Sequence, residues 1–133
     1  MAATTAEQGL VDQWRGILAV HARTVCELDR ELHPHGLGAS DFEVLDVLAE
    51  GSSDDGGCTF RVQEISAQVH LSQSALSRLI GRLEKDGLVE RGMCSEDRRG
   101  VRVSLTAKGR ALHHQVRPLQ RAVLERMLDT PGA

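Results

Sequence analysis

The chain has no tyrosine, one tryptophan and two phenylalanines among its 133 residues. Binders of single-stranded nucleic acid stack bases on aromatic rings, so this scarcity argues against that class. Only three prolines interrupt the chain, and its apolar residues recur mostly at helical spacing, which predicts a mainly α protein. No apolar run reaches the ~18 residues of a membrane span, and the N-terminus lacks a basic-then-apolar leader. No membrane contact is expected, and the expected location is the cytoplasm. Cys26, Cys58 and Cys94 form no C-x-x-C pair, and their odd number argues for free thiols. The phosphate-cradling glycine loop, the nucleophile elbow and the H-E-x-x-H helix are all missing. Neither an enzyme nor a cofactor is expected.

What is present is an uneven charge. The net charge is −3, at first sight wrong for a protein that meets a polyanion. Residues 1–60, however, hold three arginines against eleven carboxylates, whereas residues 78–110 hold nine basic residues against five acidic ones. A basic patch on an acidic body gives a polyanion one preferred face. The length suits a single domain with its own core.

The stretch Leu71–Thr106 is the most informative. Ser72 is placed to cap a helix whose apolar positions Ala75, Leu76, Leu79, Ile80 and Leu83 follow the spacing of one buried face. The opposite face carries Gln73, Ser74, Ser77, Arg78, Gly81, Arg82 and Lys85. Small polar residues let a helix sit deep in a major groove about 12 Å wide, where Gln, Ser and Arg reach base edges or phosphates. Gly87 stops the helix in the left-handed conformation that glycine adopts readily. Leu88–Arg91 and Val101–Leu105 are expected strands, joined by the polar loop Gly92–Gly100 into a hairpin. At its tip stand Asp97, Arg98 and Arg99, and an arginine there suits a narrow minor groove. Asp97 is expected to orient an arginine. Thr106 caps a further helix with Lys108 and Gly109 in its first turn.

This pattern resembles the winged helix-turn-helix of the multiple-antibiotic-resistance regulator (MarR) family. The residues that carry the resemblance are Leu71-Ser72-x-Ser74, Leu76–Leu79, Leu83-Glu84-x-x-Gly87-Leu88-Val89-x-Arg91, Asp97–Arg99 and Leu105-Thr106-x-x-Gly109. Upstream, Val62–Val69 resembles the first helix of the motif, with Ile65 and Val69 facing inward and His70-Leu71-Ser72 as the turn. The resemblance implies a mainly α fold with a small antiparallel β-wing, one domain over residues 1–133. Dimerisation helices would occupy about 7–32 and 106–129, and a DNA-binding lobe about 40–105. It also implies a short strand near Thr59–Arg61, a homodimer, and palindromic double-stranded DNA as partner. The contacts it assigns to DNA are Ser72, Gln73, Ser74, Ser77, Arg78, Arg82, Asp97, Arg98 and Arg99. Repression, lifted by a small-molecule or oxidant signal, is the expected output. A winged helix used only for protein contacts, and a metal- or thiol-sensing regulator, remain alternatives.

The rest of the chain is expected to be scaffold. Trp14, Leu18, His21, Val25, Leu28 and Leu32 form an apolar stripe on a helix from about Glu7 to Leu32. Ser40 is expected to cap a second helix, Asp41–Glu50, with Phe42, Leu45, Val47 and Leu48 as its apolar content. Leu112, Val116, Leu119, Val123 and Met127 line the C-terminal helix, which Pro118 should kink or break near Arg117. The resemblance places an effector pocket, for a phenolic or aromatic acid, near Trp14, His21, Val25 and Phe42. Cys94 beside wing arginines and Cys26 on the first helix are candidate redox thiols. His33-Pro34-His35 and His113-His114 are poorly spaced for a shared zinc ion, since adjacent helical side chains point about 100° apart. No metal site is expected.

Overall fold

A computed structural model of the chain describes residues 4–51, 60–93 and 101–128. In chain order these form α1 (Thr5–Leu32), a 3₁₀ turn (His33–His35), α2 (Ala39–Glu50), β1 (Phe60–Arg61), α3 (Val62–Val69), α4 (Gln73–Lys85), β2 (Val89–Met93), β3 (Val101–Leu105) and α5 (Ala107–Met127). The three strands make one antiparallel sheet in the order β1-β3-β2. Arg61 pairs with Arg102, and Arg91 with Val103. The fold is mainly α with a small antiparallel sheet, and the strand implied near Thr59–Arg61 is β1.

One core unites the elements. Leu28 and Leu32 of α1, Phe42, Val44, Leu45 and Leu48 of α2, and Ile65 of α3 are buried together with Leu76, Leu79, Ile80 and Leu83 of α4. Val103 of β3 and Val116 and Val123 of α5 complete it. Each side chain of this size contributes roughly 1.5–3 kcal/mol on full burial. Val69, read as inward-facing, packs against the edge of this core.

Helix α1 divides at Thr24. Beyond it Leu28 and Leu32 are buried, whereas Thr5–Arg23 are exposed apart from the half-buried Val11. The start of α1 is capped by Thr4, whose Oγ1 accepts from the Glu7 N–H at 3.0 Å.

Two expectations need correction. Ser40 does not cap α2. The helix begins at Ala39 because Asp41 Oδ2 accepts from the Gly38 N–H at 2.7 Å and Asp29 Oδ1 accepts from the Ala39 N–H at 2.8 Å. Two carboxylates thus cover the N–H groups of Gly38 and Ala39, while the Phe42 N–H, which a Ser40 cap would have served, donates to Gly38 O. Nor does Pro118 break α5, which runs unbroken to Met127. Proline removes only its own N–H bond to the His114 carbonyl, and both residues lie on the exposed side of the helix.

The junction of α4 with α5 is tightly built. Leu88 N–H donates to Leu83 O and Gly87 N–H to Glu84 O, the paired bonds of a glycine-terminated helix, with Gly87 at φ 77°. Thr106 Oγ1 accepts from the Gly109 N–H at 3.0 Å while its hydroxyl donates to Gly87 O at 2.6 Å. Lys108 Nζ donates to Asp86 O at 2.8 Å. Gly109 lies so close that a Cβ there would stand 2.0 Å from Leu88 O.

A polar cluster joins α2 to α5. His113 Nε2–H donates to Asp46 Oδ1 at 2.7 Å, and Arg121 Nη2 donates to Asp46 Oδ1 and Oδ2 at 3.2 and 3.1 Å. Arg121 also lies 3.7 Å from Glu50. The His113 ring stacks on Phe42 with centroids 5.4 Å apart. Glu43 accepts from Gln120 Nε2 at 3.4 Å. Its carboxyl is held above the usual range, first by burial, then by repulsion from Asp46 and Glu50, with Arg121 acting in the opposite sense.

Two outcomes follow from this packing. Gly109→Ala should cost about 2–4 kcal/mol, because a backbone carbonyl blocks the methyl and cannot rotate away. A denaturant midpoint equal to the parent's would contradict this. For Glu43, the folded state holds its proton more tightly than the unfolded chain. Stability therefore falls as pH rises from the unfolded value of about 4.5 through the raised folded value. Glu43→Gln should raise the melting temperature at about pH 8 and leave it nearly unchanged at about pH 4. Equal shifts at both pH values would contradict the assignment.

Candidate nucleic-acid interface

The reading helix α4 stands on a buried rib. Leu76, Leu79, Ile80 and Leu83 point into the core, so the side chains between them must face outward. Gln73, Ser74, Ser77, Arg78, Arg82 and Lys85 are all exposed on that outward side. Ser72 caps the helix, its Oγ accepting from the Ala75 N–H at 3.2 Å. Ser72 Oγ also lies 3.4 Å from Ser74 Oγ. The exposed first turn is therefore small, polar and rich in hydroxyls, with no side chain longer than Gln73 before Arg78.

The turn before α4 is held from within. His70 ends α3 in the left-handed region at φ 57°, and its N–H donates to Ser66 O at 3.2 Å. Ser66 Oγ donates to Leu71 O at 3.1 Å. These bonds hold the turn between α3 and α4 in one conformation.

The cations on this face are not equivalent. Arg78 makes no ion pair among the described residues. Arg82 does: its Nη2 donates to Asp41 Oδ1 on α2. The Arg82 side chain remains 58% exposed, whereas Asp41 is 8% exposed. Arg82 therefore ties the reading helix to α2 while keeping part of its guanidinium in solvent. Arg91 on β2 lies 3.4 Å from Glu84 of α4, a second tie at the other end of the helix. Asp41 is a residue that sequence reasoning missed in this role. Its acidity at the start of α2 is legible, but its partner lies 41 positions away, and a single chain gives no periodicity over such a distance.

Asp97, Arg98 and Arg99, together with Cys58 and Cys94, lie outside the described residues. The strands that lead into the wing, β2 and β3, are paired along their full length from Val89↔Leu105 to Met93↔Val101. The hairpin stem therefore stands beside the C-terminal end of α4, to which Arg91 joins it.

The four residues read as an effector pocket occupy three different environments. Trp14 and His21 are exposed, Val25 is half-buried, and Phe42 is fully enclosed against His113. A groove of about 400 Å³ lies elsewhere on the described surface, lined by Arg23, Cys26, Glu27, Arg126 and Met127 where α1 meets the end of α5. Arg126 bridges to Glu27 across it at 3.1 Å. Cys26 is a free, exposed thiol. His113 is occupied by Asp46, and no cluster of three metal-ligating side chains occurs among the described residues. No described helix is long and apolar enough to cross a membrane.

Comparison with known proteins places this arrangement. Residues 35–100 match the model of the MarR family. The fold superposes with TM-score 0.80 on AbsC, a MarR family transcriptional regulator from Streptomyces coelicolor, at 31% identity over 98% of this chain and 86% of that one. A second MarR family transcriptional regulator from Streptomyces coelicolor, solved in complex with DNA, superposes with TM-score 0.79 at 27% identity, covering 98% of this chain and 80% of the other. The HTH-type transcriptional regulator MhqR from Bacillus subtilis is 25% identical over 102 residues, which are 77% of this chain but only 66% of MhqR. The shared fold extends from α1 through α5 and includes the helix that presents Gln73, Ser74, Ser77 and Arg78, so the chain belongs to the MarR family of transcriptional regulators.

Proposed function

We propose that the chain is a double-stranded DNA-binding transcriptional regulator that acts as a homodimer on palindromic sites. The single observation that carries this reading is the outward face of α4. Small polar residues occupy its first turn, and an arginine without an ion-pair partner among the described residues follows one turn later. In duplex DNA, Ser72, Gln73, Ser74 and Ser77 approach base edges and phosphates of the major groove, and Arg78 reaches a guanine edge or a phosphate. Arg82, held by Asp41, contributes charge and keeps the helix in place. Arg98 and Arg99 at the wing tip, with Asp97, enter the neighbouring minor groove.

The dimer rests on α1. Leu10, Trp14, Ile17 and Leu18 are 68, 58, 55 and 45% exposed. Four large apolar side chains close together on one helix are unusual for the free surface of a monomer. A second copy covers them, and its presence sets two α4 helices about one DNA turn apart. Bound near a promoter, such a dimer blocks polymerase, so repression is the default output. A small aromatic acid, or oxidation at Cys26 or Cys94, releases it by changing the spacing of the two reading helices.

Three measurements test this reading. Duplex affinity should fall by about 10³-fold or more between 50 and 200 mM salt, as for any protein that neutralises several phosphates. Arg78→Ala should lower affinity by about tenfold or more, through loss of one base or phosphate contact. Duplex binding that is absent, or insensitive to both changes, would instead favour a module for protein contacts. Trp14→Glu combined with Leu18→Glu should convert the dimer to a folded monomer by light scattering. A dimer that survives both charges would place the interface elsewhere.

A further inference from the structure

Helix α5 packs along α1, the helix that carries the proposed dimer face, so its angle to the reading lobe sets how far apart two reading helices stand. Helix α5 is joined to the DNA-reading lobe at its first turn, through Thr106, Lys108 and Gly109 against Asp86–Leu88. Beyond that turn Val116 and Val123 pack α5 onto the core, but apolar contact alone is non-directional and does not set the tilt. The directional attachment to α2 is Asp46, gripped by His113 and by Arg121 from positions eight residues apart on α5, beside the longer Gln120–Glu43 bond. Eight residues span about 12 Å of helix axis, enough to define a direction.

We propose that Asp46, His113 and Arg121 are positioning residues that set the angle between the reading lobe and α5, and so select the half-site spacing that the dimer accepts. This rests on the DNA-binding, dimeric reading given above. The magnitudes are matched. Over the roughly 30 Å length of α5, a tilt of about 6° displaces its far end by about 3 Å. One base-pair step is about 3.4 Å. A few degrees of slack would therefore be enough to blur a register of one base pair.

The chemistry suits orientation better than stability. Asp46 and His113 are both 8% exposed, and a buried polar set of this kind adds little net stability because desolvation offsets attraction. It is strongly directional, however. The carboxylate accepts from His113 on Oδ1 and from Arg121 on both oxygens, while Phe42 packs against the His113 ring. The same helix carries Asp41, which holds Arg82 of α4. Helix α2 therefore transmits the direction of α5 to the reading helix itself.

The test uses a palindrome selected by the full-length protein from a random duplex pool, the same palindrome lengthened or shortened by one base pair between its half-sites, and a single half-site. The parent protein should lose at least about tenfold in affinity on either spacing change. Asp46→Asn should reduce that loss to less than about threefold, while affinity for the single half-site stays within about twofold. His113→Phe keeps the stack on Phe42 but has no donor for Asp46. It should behave in the same direction, and it decides the matter if Asp46→Asn does not fold. A merely structural role would weaken all the duplexes by a common factor and leave the spacing ratio unchanged, and that result overturns the proposal. Absence of any duplex binding by the parent would instead overturn the reading on which the proposal rests.

Discussion

Three carboxylates that meet on one helix set the directions of the helices around it. Asp29 reaches from α1 to the first N–H of α2, Asp41 caps that helix and binds Arg82 of α4, and Asp46 binds His113 and Arg121 of α5. Asp29 is exposed, but Asp41 and Asp46 are buried, and a buried carboxylate is costly unless each oxygen finds a donor. The helices that supply those donors are thereby committed to one arrangement. The apolar core beneath them gives most of the stability, but hydrophobic contact alone is non-directional. Direction comes from the aspartates, and the reading helix takes its place from them.

The division of charge has the same logic. The acidic half of the chain supplies α1 and α2, and part of its acidity goes into internal ties to Arg82 of α4 and to Arg121 and Arg126 of α5. What remains without an ion pair among the described residues on the face of α4, Arg78 above all, is what a polyanion would meet first. The net charge of −3 is thus a poor guide, because it averages a structural set of charges with a functional one.

Much of this was legible in the chain. The cap at Ser72, the rib of α4 from Leu76 to Leu83, the glycine stop at Gly87, the strand Val101–Leu105 and the cap at Thr106 follow from local rules of capping and periodicity, and each stands where those rules put it. The first strand, expected at Leu88–Arg91, runs instead from Val89 to Met93 because its pairing with the partner strand continues through Gly92. The start of α2 did not follow. A serine before an acidic residue looks like a cap, yet that acidic residue itself, Asp41, together with Asp29 of α1, serves the N–H groups at the start of the helix. Pro118 predicts a kink or break of the helix near Arg117; the break does not occur, because the proline lies on an exposed side where one lost bond is tolerated. The pairings of Arg82 with Asp41 and of His113 with Asp46 span 41 and 67 residues. No local pattern encodes such contacts, so by sequence Arg82 looks equivalent to Arg78, and His113 reads only, with His114, as a poorly spaced zinc ligand. The stripe on α1 was legible as apolar, and the half of it left exposed is what a second copy would need.

The central claim is that the outward face of α4 enters the major groove of duplex DNA. Dimethyl sulfate footprinting tests it most directly, because the reagent attacks guanine N7, which lies in that groove. On a bound palindrome the account predicts protected N7 atoms in two successive major grooves, about one helical turn apart. Full reactivity at every major-groove guanine of a stably bound duplex would contradict it.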